Sequence, residues 1–135
     1  MAKKASPPSK AEEIISVIES EVRQDLVILI IPSHEKDDKP LKDQDMWAAQ
    51  AMELFGDLYG GATAFRALAG IYKDADGKVY HDTPILIESY VERPKLVDET
   101  TLNELLAFAQ RMGKEARQKA VALIINDVFH LLTKF

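Results

Sequence analysis

The chain has 135 residues, 47% of them hydrophobic, enough for one domain with a buried core. Its net charge of −5 favours solubility and disfavours a nucleic-acid backbone as partner, because phosphates are met by Lys and Arg. It has no cysteine, which excludes disulfides, thiolate catalysis, Cys-ligated zinc and iron–sulfur clusters, and is compatible with a cytoplasmic location.

The opening "MAKKASPPSK" has no apolar run behind its lysines and does not read as a secretory signal. Residues 1–10, rich in Lys, Pro and Ser, are expected to form a disordered tail, and residues 11–135 one α+β domain. Ser9 is placed to cap a helix whose apolar positions Ala11, Ile14, Ile15, Ile18 and Val22 share one face, with Glu12 and Glu13 in the first turn where the helix dipole favours them. "DLVILIIP" then reads as a central strand apolar on both sides of its pleat and closed by Pro32. Its apolar run, residues 26–31, falls far short of the roughly 20 residues of a membrane-spanning helix, so no membrane partner is expected.

After the charged loop "SHEKDDKPLKDQ", "DQDMWAAQAMELFGDLY" predicts a helix with Met46, Trp47, Ala49, Gln50, Leu54 and Leu58 inward, ended by Gly60 and Gly61. "ATAFRALAGIYK" and "TPILIESYVE" predict two strands around the turn "DADG", with Gly77 at positive φ. Pairing Asp74 with Gly77 puts Arg66 opposite Ile85, a charge against the apolar face. A bulge near Gly77 or Pro84 is therefore expected, since a one-residue slip exchanges the faces. Asp98 or Thr100 is placed to cap a further helix with a stripe of Leu102, Leu105, Leu106, Ala109 and Met112, loosened or ended at Gly113. "KAVALIIND" reads as the last strand, apolar on both faces. "VFHLLTKF" is an apolar tail that either extends that strand or docks as a helix, with His130 packed or hydrogen-bonded.

The order β-α-β-β-α-β predicts a ferredoxin-like sandwich, a four-stranded antiparallel sheet with two helices on one face, plus the N-terminal helix and a C-terminal extension. The first and last strands are apolar on both sides, so the second face also needs cover. The N-terminal helix, the C-terminal tail or a second copy in a homodimer could supply it.

Trp47 at a helix start, "GGATAFRALAGIYKDADGKVYHDTPILIE" with its Gly–x–Thr, Gly–x–aromatic and Asp–Gly–x–Val steps, and "RQKAVALII" with its Gln–x–x–Val strand entry carry a resemblance over residues 47–125. Over that span the chain resembles an uncharacterised bacterial family of small α+β domains of unknown function. The resemblance implies an α+β fold and no stated activity. Members of that family resemble secreted proteins, whereas no export signal is read here, and the N-terminal helix is an addition to the family pattern.

Chemistry is expected first on the 70–92 hairpin. His81, Asp82, Glu88 and Tyr90 supply donors, acceptors and a group titrating near neutral pH, with Arg66, Tyr72 and Lys73 on the neighbouring strand. A polar or anionic ligand would be held by Arg66, Tyr72, Asp82 and Tyr90, with His81 or Glu88 as general acid or base. The competing reading is an exposed strand face with charges balanced across the ladder. His34, Glu35, Asp37 and Asp38 could hold a metal, but they lack paired-histidine spacing and read more simply as a solvated loop; no metal and no cofactor are expected. Ser33 and His34, adjacent in sequence, rarely give nucleophile–base geometry, and neither a Gly–x–Ser–x–Gly elbow nor a phosphate loop occurs. RNA binding would need stacking aromatics on the central strands, and "LVILII" has none. A lone Trp47 beside Met46 and Ala49 reads as a core or interface anchor.

Three readings follow. The first is a non-enzymatic interaction or ligand-binding module that self-associates through its sheet or terminal segments. The second is a small enzyme acting on a polar metabolite, in which His81 and Glu88 would converge in a recess. The third is an accessory or inhibitor protein that binds another protein.

Overall fold

A computed structural model describes residues 6–17 and 22–135. The elements in chain order are α1 (Lys10–Ser16), β1 (Asp25–Ile31), α2 (Gln44–Tyr59), β2 (Thr63–Arg66), β3 (Gly70–Lys73), β4 (Val79–Asp82), β5 (Ile85–Val91), α3 (Arg93–Leu96), α4 (Glu99–Glu115), β6 (Val121–Ile125) and β7 (Val128–Leu132). Five strands form one sheet in the order β2-β5-β1-β6-β7, and β3 and β4 form a separate two-stranded ribbon. Each paired neighbour in both sheets is antiparallel. The ferredoxin-like order is thus present in β2-β5-β1-β6. The expected four-stranded sheet is corrected to five, because the C-terminal segment turns back at Asn126 and adds β7 as an edge strand. That also decides the form of the tail: it is a strand.

The N-terminal helix begins where its cap places it, with the Glu12 N–H donating to Ser9 Oγ at 3.1 Å. The helix is described as far as Ser16, so Ile18 in its expected stripe lies outside the described residues, and Val22 lies beyond the described helix. α2 ends at Gly60, whose φ of 87° is the left-handed conformation that glycine adopts without strain. α4 is capped by Asp98, whose carboxylate accepts from the Thr101 N–H and hydroxyl. That hydrogen-bonding holds the Asp98 carboxyl below its ordinary range.

The core lies between α2, α4 and one face of the sheet. It contains Val27, Leu29 and Ile31 of β1, Ile85, Ile87 and Val91 of β5, and Val121 and Leu123 of β6, against Phe55, Tyr59, Leu105 and Met112. The buried face of α2 is corrected. Trp47, Ala48, Ala51, Phe55 and Tyr59 point inward, Leu54 and Leu58 only partly, and Met46 is exposed. Four-residue steps from Ala51 through Phe55 to Tyr59 bring both large rings onto the sheet, where they meet edge to face at 5.4 Å. α4 runs through Gly113 rather than ending there. The absent side chain leaves room for the ring of Phe135, which a Cβ would strike. Among the stripe residues, Leu106 lies toward solvent and Phe108 takes an inward place.

The long hairpin has an irregularity at each of the two places where one was expected, but the expected one-residue slip is corrected, because the pair leaves Arg66 opposite Ile85. Asp74 pairs with Lys78 rather than Gly77, its N–H donating to the Lys78 carbonyl at 3.0 Å around a loop with Gly77 at φ 84°. Farther along, Arg66 stands opposite Ile85 and Gly70 opposite Asp82, so residues 67–69 face only residues 83 and 84. The two one-residue offsets cancel, and Arg66 returns to the position opposite Ile85 that simple counting assigns. The second offset also divides the continuous strand expected at residues 62–73 into β2 of the sheet and β3 of the arm, and β4 of the arm precedes the strand expected at residues 83–92.

One buried polar lock closes the start of β1. The Asp25 carboxylate, nearly inaccessible, receives Arg93 Nη2 on Oδ1 at 2.8 Å and lies 2.8 Å from Arg93 Nε on Oδ2. Asn126 Nδ2 donates to the same Oδ1 at 3.1 Å, while Asn126 Oδ1 accepts from the Leu26 N–H. Three segments distant in sequence are tied at one carboxylate, by charge-assisted and neutral hydrogen bonds to Oδ1 and an ion pair at Oδ2.

Candidate functional site

Alternation along the strands assigns each side chain to one of two faces. The helix-bearing face carries Val27, Leu29, Ile31, Ile85, Ile87, Val121 and Leu123, as above. The other face carries Leu26, Ile28 and Ile30 of β1, Leu86, Glu88 and Tyr90 of β5, Thr63 and Phe65 of β2, Ala122 and Ile124 of β6, and Phe129 and Leu131 of β7. The ladder sets a transverse row of Thr63, Glu88, Ile28, Ile124 and Phe129. No described helix packs on this face: α2 and α4 lie together on the opposite side, and α1 has no buried residue. Phe65, Tyr90, Phe129 and Leu131 are each at least half exposed. Apolar side chains gathered on one open face make it a candidate interaction site.

Glu88 is the one charged strand residue on this face among those described, and it makes no hydrogen bond or ion pair with them. It is half-buried between Thr63 and Ile28, with Tyr90 one pleat away on the same strand. A carboxylate inside an apolar field can accept hydrogen bonds from a ligand or attract a cation, and cover over the face would strengthen either interaction by removing water.

The other hairpin candidates are dispersed. Arg66 lies on the helix-bearing side, donating from Nη2 to Asp45 Oδ1 at 2.9 Å and from Nη1 to Gln44 Oε1 at 3.3 Å. Gln44 in turn donates to the Thr83 carbonyl, so Arg66 ties β2 to the start of α2. His81 stands exposed on the β3–β4 arm opposite Ile71. Asp82 faces Gly70, where any Cβ would collide with its carboxylate. Tyr72 pairs with Tyr80, their rings 6.1 Å apart. His81 lies on β4 of the two-stranded ribbon, whereas Glu88 lies on β5 of the five-stranded sheet. The structure therefore brings together Glu88 and Tyr90 but neither Arg66, Tyr72, His81 nor Asp82 with them, and no recess joins His81 to Glu88.

Ser33 and His34 do touch, contrary to what their adjacency suggests: Ser33 Oγ lies 2.7 Å from His34 Nδ1. The same oxygen accepts the Thr83 N–H at 2.9 Å. Gln118 donates to the His34 carbonyl at 2.8 Å. Ser33 is buried, and these bonds clamp the end of β1 to the entry of β5. Among the described residues no group of three His, Cys, Asp or Glu side chains is placed to hold a metal ion. His130 is corrected from packed to exposed, because β7 is an edge strand with nothing beyond it.

Trp47 is an anchor within the fold. Its ring meets Phe108 edge-on at 6.0 Å, with the Arg111 guanidinium over both. Trp47 Nε1 and the Tyr59 hydroxyl are buried without a hydrogen-bond partner, and burial pushes the Tyr59 phenol up to about 12. No helix among the described residues is long and apolar enough to cross a membrane. The recess beside Glu35, Lys39, Pro40, Lys42 and Asp43, about 480 Å³, is open to solvent and lies away from Glu88.

No family model and no curated protein matches the chain. Solved structures do. The chain is similar to a phage SAM lyase in its apo state, with TM-score 0.58 and 14% identity over 81% of this chain and 88% of that one. It is also similar to a phage SAM lyase in complex with S-methyl-5'-thioadenosine, with TM-score 0.55 and 11% identity over 87% of this chain and 95% of the other. The divalent ion tolerance protein CutA1 from Ehrlichia chaffeensis overlaps less well, with TM-score 0.41 and 13% identity over 77% and 79%. At these identities the likeness to the lyases is one of fold: a small α+β domain with an antiparallel sheet.

Proposed function

We propose that the chain is a self-associating α+β binding module whose working surface is the open face of the five-stranded sheet. One observation supports this above the others: side chains from all five strands form an apolar field there that no described helix covers. Burying such a field stabilises an assembly by about 25 cal/mol per Å² of apolar surface removed from water, before the costs of association are subtracted. Light scattering of the purified full chain tests the reading. A mass of two or more chains is expected, falling toward one chain when Ile124→Lys places a charge in the middle of the field. A single-chain mass for the unaltered protein at micromolar concentration would end it.

A second reading is favoured by the fold likeness to phage SAM lyases together with the place of Glu88 and Tyr90. SAM carries a sulfonium cation, which a carboxylate attracts directly and an aromatic ring attracts through its face. In this reading the covered face holds the substrate, with Glu88 and Tyr90 beside the sulfonium. Incubation of the full chain with SAM, followed by chromatography for S-methyl-5'-thioadenosine, tests it. Formation of that product, abolished by Glu88→Gln, would establish the activity; no product with an intact assembly leaves a binding module.

A further inference from the structure

The chain contains a second unpartnered apolar surface, on α1. Ile14, Ile15 and Val17 are 55%, 64% and 78% exposed, and α1 buries none of its residues, although only eight positions separate Val17 from Asp25 at the start of β1. A helix seated on its own sheet would bury those side chains. The single chain therefore holds a helix with an apolar stripe and a sheet with an apolar face, each without the other.

Two features match them. The apolar stripe of α1 is headed by Lys10, one turn before Ile14 on the same side, while Glu12 and Glu13 lie off it. Among the described strand residues the open face has one charge, Glu88, which stands without a partner between Thr63 and Ile28. A helix laid across the face with Ile14 and Ile15 against Ile28 and Ile124 can bring the Lys10 ammonium to the Glu88 carboxylate. Among the described residues α1 and the β3–β4 arm are exposed along most of their length.

We infer that α1 of one copy docks on the open sheet face of a second copy, with Lys10 meeting the partner copy's carboxylate in the apolar field. The inference rests on the self-association proposed above and names the segment that accomplishes it. It also gives α1 a role: it shelters the Glu88 and Tyr90 surface from water and so completes any ligand site there.

The absence of native cysteine makes a direct test clean. Full chain carrying Glu13→Cys, a polar position off the stripe, is spin-labelled and mixed with unlabelled-cysteine-free full chain whose isoleucine methyls are isotopically enriched. Broadening of the Ile28, Ile30 and Ile124 methyl signals in the enriched copy is expected. Ile14→Asp together with Ile15→Asp is expected to reduce the mass by light scattering to that of one chain, and Lys10→Glu to weaken association at least several-fold. Three outcomes overturn the inference. If the mass stays above one chain and those methyls stay sharp, self-association holds and α1 is not the covering segment. If those methyls stay sharp in the mixture but broaden when spin label and enriched methyls are on the same chain, α1 serves its own sheet. If the unaltered protein has a single-chain mass, the self-association reading fails and the inference with it.

Discussion

The two faces of the five-stranded sheet are built from the same alternating strands, yet they belong to different chemical situations. On one face Val27, Leu29, Ile87 and Leu123 are fully or nearly fully buried beneath α2 and α4; on the other Ile28, Ile30, Leu86 and Ile124 are only half-buried by their neighbours. Adjacent residues of one strand, equally apolar, thus serve the fold and the surface respectively. The comparison teaches that hydrophobicity along a strand measures how much cover the strand needs, not where the cover comes from.

The contrast can be broken most severely inside. Leu29→Ala removes a fully buried side chain, and urea denaturation is expected to show a loss of about 3 kcal/mol from lost burial plus the cavity left behind. Ile28→Ala, one residue away on the open face, is expected to cost the dissociated chain about 1 kcal/mol or less. Equal losses at the two positions would mean that the open face is covered within the chain. Arg93→Ala, which strands the buried Asp25 carboxylate, is expected to cost about 2 kcal/mol, below the usual figure for a broken buried pair because the guanidinium is more than half exposed.

Smaller effects sharpen the same contrast. Phe129→Lys on the edge of the open face is expected to leave chain stability within about 0.5 kcal/mol while lowering the assembly mass. Tyr59→Phe removes a buried hydroxyl with no partner, so it is expected to be neutral or to stabilise by up to about 1 kcal/mol; a loss greater than that would reveal a hydrogen bond to the phenol. The smallest effect concerns Asp98. Its carboxyl is held below the ordinary 3.8, so the cap's stabilising contribution is present above that value and fades as pH falls through the lower folded value. Asp98→Ala should therefore lower the melting temperature slightly at pH 7, and the difference from the unaltered chain should vanish in strong acid.

Local signals carried much of the fold. Ser9 and Asp98 cap their helices as short-range chemistry requires, Gly60 ends α2, and the split β-α-β-β-α-β order is present in the sheet. The phase of α2 was not legible: Met46 through Tyr59 is apolar around most of its circumference, so several faces satisfied the pattern and only packing selected Phe55 and Tyr59. The candidate site was legible only in part. Glu88 and Tyr90 do share a face, because alternation along a strand is a local property. Arg66 pairs with Ile85 and so lies on the helix-bearing face, and His81 belongs to the separate β3–β4 ribbon, a division made by the break in strand pairing around Pro84 that no short stretch announces. Asp25 and Asn126 gave no signal at all, since their contact spans a hundred positions.

By itself, the sequence determined that β1 is central, that the apolar residues of β1 and β6 exceed what two helices can cover, and that cysteine chemistry plays no part. Those are consequences of composition and period, which act over a few residues. Only the tertiary structure decided that the tail becomes a fifth strand, that Glu88 stands alone in an apolar field and that α1 is left without a seat. Each depends on which distant segments come into register, and register is set by the packing of the whole chain rather than by any stretch of it.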